Sequence, residues 1–179
     1  MNTRWRWIFS IWLLLLWPES ATAATDPVSV VLSPVADPAA AGEGRVVVTI
    51  RNDGDAPVNL HHFLLPFGWP ESLPNNQFEV RGSDGKEQAY IGYWVAFAAP
   101  LSEVLVPLGA HQTLSGTVDL RYSYAFDKHD DPHYTVRYRL AVGFAEEGQQ
   151  PDPKSPDYAT DPNRSRDVFS NVLRLTVQP

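Results

Sequence analysis

Repeatedly along this chain, apolar side chains fall on every second position. Val46, Val48 and Ile50 alternate with Arg45, Thr49 and Arg51, and Phe78 and Val80 alternate with Gln77, Glu79 and Arg81. Leu114, Gly116, Val118 and Leu120 face away from Thr113, Ser115, Thr117 and Asp119. Tyr134, Val136, Tyr138, Leu140, Val142 and Phe144 face away from Thr135, Arg137 and Arg139. Successive side chains on a strand point to opposite faces, so this period buries one face and wets the other. No segment keeps a helical period beyond about one turn. Strands must therefore pack on strands.

The stretch from Gly44 to Pro66 sets the pattern. Its first run ends in Asn52-Asp53-Gly54-Asp55, residues that tolerate left-handed backbone and bond their own main chain. A second extended run follows through Val58, Leu60 and Leu64, so the stretch reads as two strands joined by a turn. Before it lie a short strand, Val28 to Leu32, and a small-residue linker, Ala36 to Gly44.

After it, Pro66 to Asn76 is a proline-broken loop. Gly82-Ser83-Asp84-Gly85 closes a hairpin into Lys86 to Ile91. Tyr93 to Ala99 fits either a buried strand or a loop over the sandwich end. Val104 to Val106 is a short strand before a Pro107-Leu108-Gly109 turn. The strand from Tyr134 is the longest and belongs at the centre of its sheet. Asp127 to Pro132 is a polar loop, and Ala145 to Asp167 is an acidic loop whose four prolines and missing apolar period leave it without regular structure. Leu173, Leu175 and Val177 make the last strand. The predicted fold is all-β: one antiparallel immunoglobulin-like β-sandwich domain of roughly 7–9 strands, spanning residues 24–179.

Residues 1–23 read as a secretory signal peptide. Arg4 and Arg6 precede an apolar run from Trp7 to Trp17, and Ala21-Thr22-Ala23 makes a small-residue cleavage signal. The apolar run falls short of the roughly 20 residues that span a bilayer, so no membrane span is expected after cleavage. Cleavage would remove two arginines and one glutamate and take the net charge from −7 to −8. With no run of basic residues, such a chain is a poor ligand for nucleic acid, where phosphate neutralisation dominates affinity. The sequence has no cysteine, which excludes thiol catalysis, thiolate zinc sites and iron–sulfur clusters. A domain of this size can bury enough core without disulfides, so the periplasm or the extracellular medium is the expected location.

Candidate chemistry is sparse. His61 and His62 are adjacent and so point to opposite faces of a strand. There is no His-Glu-x-x-His zinc site and no Gly-x-Ser-x-Gly elbow. Asp127, His129, Asp130, Asp131 and His133 are the one candidate group for a divalent ion, although their spacing matches no established cage and a solvated loop is the ordinary reading. An enzyme is therefore not expected, nor a cofactor. The aromatic residues Phe67, Trp69, Tyr93, Trp94 and Phe97 lie in poorly periodic segments. Capping a core under long loops is their ordinary role; a binding surface at one end of the sandwich is the functional alternative.

From Arg45 to Tyr138 the chain resembles the non-catalytic amino-terminal domain that precedes the zinc protease in deuterolysin and peptidyl-Lys metalloendopeptidase precursors. The matching pieces are Val48 to Asp55, Phe78-Glu79-Val80-Arg81 with Asp84-Gly85-Lys86, and Ala98-Ala99-Pro100. Gly116 to Leu120, Tyr124-Ala125-Phe126-Asp127 and Tyr134 to Tyr138 continue the match. Gly116-Thr117-Val118-Asp119 also matches part of a zinc motif of the aspzincin proteases, but it lies in an alternating strand without partner histidines. The resemblance implies an exported pro-region-like binding module, an inhibitor or folding chaperone whose partner is another protein, a secreted metalloprotease. The competing expectation is an envelope structural or adhesion domain that binds glycan or a protein subunit.

Overall fold

The computed structural model describes residues 27–69, 71–95, 104–126, 132–143 and 165–178. Among the described residues the alternating segments form nine strands: β1 (Val28–Pro34), β2 (Arg45–Asn52), β3 (Val58–His61), β4 (Phe78–Gly82), β5 (Leu105–Leu108), β6 (Thr113–Asp119), β7 (His133–Gly143), β8 (Ser165–Phe169) and β9 (Leu173–Thr176). They make two antiparallel sheets. One has the order β1-β2-β6; the other runs β4-β7-β3-β5, with β8 and β9 also paired to β7. The first, second and sixth strands thus oppose the third, seventh and last, the division seen in immunoglobulin-like sandwiches. The predicted all-β sandwich is the observed fold.

β7 is the centre of the larger sheet. It is 11 residues long, while β3, β4, β8 and β9 have 4, 5, 5 and 4. β4 pairs with residues 134–138 of β7 and β3 with 142–143, while β9 pairs with 133–136 and β8 with 139–143. Its inward side chains Val136, Tyr138, Leu140 and Val142 are completely buried. They meet Val46, Val48 and Ile50 of β2 and Leu60 and Val80 of the larger sheet in one hydrophobic cluster. Each such side chain contributes about 1.5–3 kcal/mol through loss of water contact.

Several expectations change. β2 and β3 do not pair: they lie in different sheets, and Asp53 to Pro57 carries the chain across the sandwich. Turn residues reverse the chain equally well within a sheet or between sheets. The crossing is fixed by Asn52, whose completely buried side chain accepts from Gly54 N at 3.0 Å. Its Nδ2 lies within hydrogen-bond reach of the carbonyls of Ala56, Leu108 and Gly109. The linker Ala36 to Gly44 contains a helical turn, α1 (Pro38–Gly42), started by Asp37 accepting from Ala39 N at 3.0 Å and by proline at the first helical position.

Pro107 lies inside β5 rather than in the following turn, which spans Gly109 to Gln112. β5 is an edge strand, where a missing N–H is tolerated. The residues after the Gly82–Gly85 turn make two isolated bridges, Arg81 to Glu87 and Tyr90 to Tyr124, instead of a strand. At the other end of the chain, Ser165 to Asp167 belong to β8, so the acidic loop ends before them. Residues 1–23, expected to be a signal peptide, lie outside the described residues, as do Phe97, Phe144, Asp127 to Asp131 and the remainder of that loop.

Candidate functional site

The aromatic candidates divide into two groups. Phe67 and Trp69 are half-buried and pack against the core. Trp69 donates from Nε1 to the carbonyl of Leu65 at 2.8 Å, which closes the Leu65–Trp69 loop on itself. Its ring stacks on Phe63 at 5.7 Å and meets His62 at 5.1 Å. Phe67 covers Gly116 so closely that a Cβ there would stand 2.6 Å from the phenyl ring. Both side chains cap the sandwich, the ordinary role for loop aromatics. Burial lowers the pKa of neighbouring His61, with a smaller push from His62.

Tyr93 and Trp94 behave differently. Trp94 is 73% exposed and Tyr93 43%, and their backbone is held from several directions. Asn75 N donates to the Tyr93 carbonyl at 2.8 Å, and Val95 N donates to Asn75 Oδ1 at 3.2 Å. Just before them, residues 89–91 pair with residues 123–125: Ala125 N donates to Ala89 O and Ile91 N to Ser123 O, each at 2.9 Å. Ile91 on the first of these segments and Tyr122, just before the second, are also exposed, at 57% and 56%. Four large apolar side chains therefore face water from backbone that is fixed beneath them. Phe97, the fifth candidate, lies outside the described residues.

Below this surface runs a ladder of rings. Trp94 meets Tyr90 edge-on at 5.5 Å, Tyr90 meets Tyr124 at 5.5 Å, and Tyr124 meets Phe78 at 6.3 Å. Phe78 rests on Tyr138 at 4.8 Å. Each buried hydroxyl is satisfied: Tyr138 donates to Leu64 O at 2.6 Å, and Tyr124 donates to Asn76 Oδ1 at 2.7 Å while accepting from Phe78 N at 2.9 Å. The Tyr90 hydroxyl lies 2.6 Å from Leu73 O and 2.8 Å from Tyr93 O. Burial raises the pKa of all three, well above the ordinary range for Tyr124 and Tyr138 and to about 12 for Tyr90, where the Tyr93 charge adds to it.

Of the candidate metal group, His133 alone is described. It is exposed at the start of β7, its Nδ1 3.2 Å from Thr176 Oγ1. Asp127, His129, Asp130 and Asp131 lie outside the described residues, and no three acidic or histidine side chains among the described residues converge on a metal position. Asp119, in the segment that matches a zinc motif, serves an ion-pair cluster instead. Arg121 reaches it at 2.9 Å and Arg45 at 3.2 Å, and Glu43 binds both arginines. Burial alone would push the Asp119 carboxyl up, but hydrogen bonds from Arg121 and Arg45 outweigh it and hold the pKa below 3.8.

The aromatic pattern in the sequence offered Phe67, Trp69, Tyr93, Trp94 and Phe97 alike, and exposure sets Tyr93 and Trp94 apart from Phe67 and Trp69. Ile91 and Tyr122 are exposed as well, beside the 89–91 and 123–125 pairing, for which the sequence offers no signal. Comparison of the chain with protein-family models and with curated proteins finds no match in either.

Proposed function

We propose that this chain is an exported, non-catalytic binding module whose contact surface is formed by Ile91, Tyr93, Trp94 and Tyr122. The observation that carries the reading is the 73% exposure of Trp94 on backbone held by the Asn75 and Tyr90 hydrogen bonds. Leaving a tryptophan in water forfeits the stabilisation its burial would supply. Fixing it in place beforehand lowers the ordering cost of binding, and aromatic side chains dominate the energy of protein interfaces. The resemblance to metalloprotease pro-regions makes the partner a secreted zinc endopeptidase, which the module would inhibit or help to fold.

The test uses a deuterolysin-type endopeptidase purified without its own pro-region. Its hydrolysis of a fluorogenic peptide is followed with increasing amounts of this protein. Slowed turnover that disappears in Trp94→Ala, with the variant's melting temperature unchanged, supports the proposal. Unchanged turnover together with no complex on gel filtration counts against it. A second reading draws on the same exposed rings, which fit the apolar face of a sugar. Glycan-array binding that is lost in Trp94→Ala, with the protease unaffected, would transfer the surface to an envelope polysaccharide.

A further inference from the structure

Strand alternation gathers charges that the sequence scatters. The side chains of His133, Thr135, Arg137 and Arg139 lie on the face of β7 opposite the buried Tyr134, Val136, Tyr138 and Leu140. The register sets Arg81 of β4 on one side of Thr135 and Arg174 of β9 on the other. Arg81, Arg137, Arg139 and Arg174 thus share the outer face of the larger sheet, in a chain whose net charge is −7.

These arginines are weakly compensated. Arg81 is 3.8 Å from Glu87 and Arg139 is 3.9 Å from Asp167, with each side chain about half in water. Such pairs contribute little. Arg137 and Arg174 make no ion pair with any described residue. The Arg137 guanidinium lies 4.2 Å over the Phe169 ring, which holds the charge in place and leaves an apolar edge beside it. Between the Gly82–Ser83 turn and β9, a cavity of about 330 Å³ opens beside Arg174 and His133, with Tyr134 and Leu175 in its lining.

We propose that this arginine face docks an acidic polypeptide segment, laid across β4, β7 and β9, whose carboxylates engage Arg81, Arg137 and Arg174. The guanidinium fork matches a carboxylate in two parallel hydrogen bonds, and complementary charge steers the encounter. Glu79, Glu87 and Asp167 stand among the arginines. A peptide can place separate carboxylates between them. A nucleic acid carries charge at every phosphate and meets repulsion at each.

The test measures fluorescence anisotropy of a fluorescein-labelled oligoglutamate peptide titrated with the protein at low ionic strength. Saturable binding is expected, weakened about tenfold or more in the double variant Arg137→Gln/Arg174→Gln and abolished by added salt. Arg174→Gln alone, which leaves the Phe169 stack intact, should weaken it severalfold. Arg51→Gln on the other sheet and Trp94→Ala should bind as the parent does, so this result stands apart from that of the aromatic surface. Three outcomes overturn the proposal: no saturable binding by the parent, equal weakening by Arg51→Gln, or tighter binding of a DNA oligomer of the same charge.

Discussion

Asn171 bonds Leu32 with both ends of its side-chain amide. Leu32 N donates to Asn171 Oδ1 at 2.8 Å, and Asn171 Nδ2 donates to Leu32 O at 3.1 Å, across 139 positions of sequence. Leu32 lies on β1 of the smaller sheet; Asn171 occupies the break between β8 and β9 of the larger one. The amide takes the place of a neighbouring strand's backbone and joins the two sheets along one side. Asn171→Ala should therefore destabilise the protein by about 1–2 kcal/mol, since it strands a backbone donor and acceptor together. Asn171→Asp restores only the acceptor and should remain below the parent in urea unfolding. Parent-like stability in both variants would refute the seam.

Trp69 and Trp94 should separate cleanly. Trp69→Ala removes a ring stacked on Phe63 and the hydrogen bond to Leu65, and is expected to cost about 2–3 kcal/mol. Trp94→Ala should change stability by no more than about 0.5 kcal/mol, because little of that ring is buried. Thermal melts of the two variants check this, and a reversed order would exchange the roles assigned to the two loops.

Alkali should unfold the protein through its buried phenols. The folded pKa values of Tyr124 and Tyr138 lie above the ordinary 10.0, so their contribution to stability is whole below that pH and is lost as pH rises through the folded values. Tyr90, raised to about 12 but more exposed, adds a smaller share in the same direction. Phenolate absorbance and loss of near-ultraviolet circular dichroism should rise together above pH 10.0. Ionisation of Tyr138 in a protein that stays folded would contradict its burial.

Gly116 leaves room for Phe67. A side chain there meets the ring at 2.6 Å, so Gly116→Val should lift the Leu65–Trp69 loop and cost about 1–3 kcal/mol. Adding Phe67→Ala should recover part of that loss, and independent, additive effects in the double-mutant cycle would show that the two do not touch.

Where hydrophobic periodicity was strong, the sequence was enough. Tyr134 to Val142 reads as the longest strand and is the central one, and the alternating run from Thr113 is β6. Local chemistry could not say which sheet a strand joins: Asn52-Asp53-Gly54-Asp55 turns the chain in either case, and contacts from Asn52 to Leu108 and Gly109, distant in sequence, decide it. α1 was hidden because alanines and glycine fit a linker as well as a helix, although Asp37-Pro38 was a visible start signal. Within the candidate site, exposure separated Trp94 from Trp69, and exposure depends on partners such as the Leu65 carbonyl that no residue pattern specifies. The arginine face was invisible for the same reason, since Arg81 and Arg174 become neighbours only through Thr135.

The length of β7 also sets an order of assembly. β4, β8 and β9 find their register against that single 11-residue template, and none of them can do so until the ribosome has delivered it. β4 must wait with its apolar face uncovered while the chain between it and β7 is made. Such late, long-range closure slows folding and exposes sticky strand edges on the way. A nascent chain halted before residue 133 should thus depend on a holding chaperone, whereas one released after β9 should not.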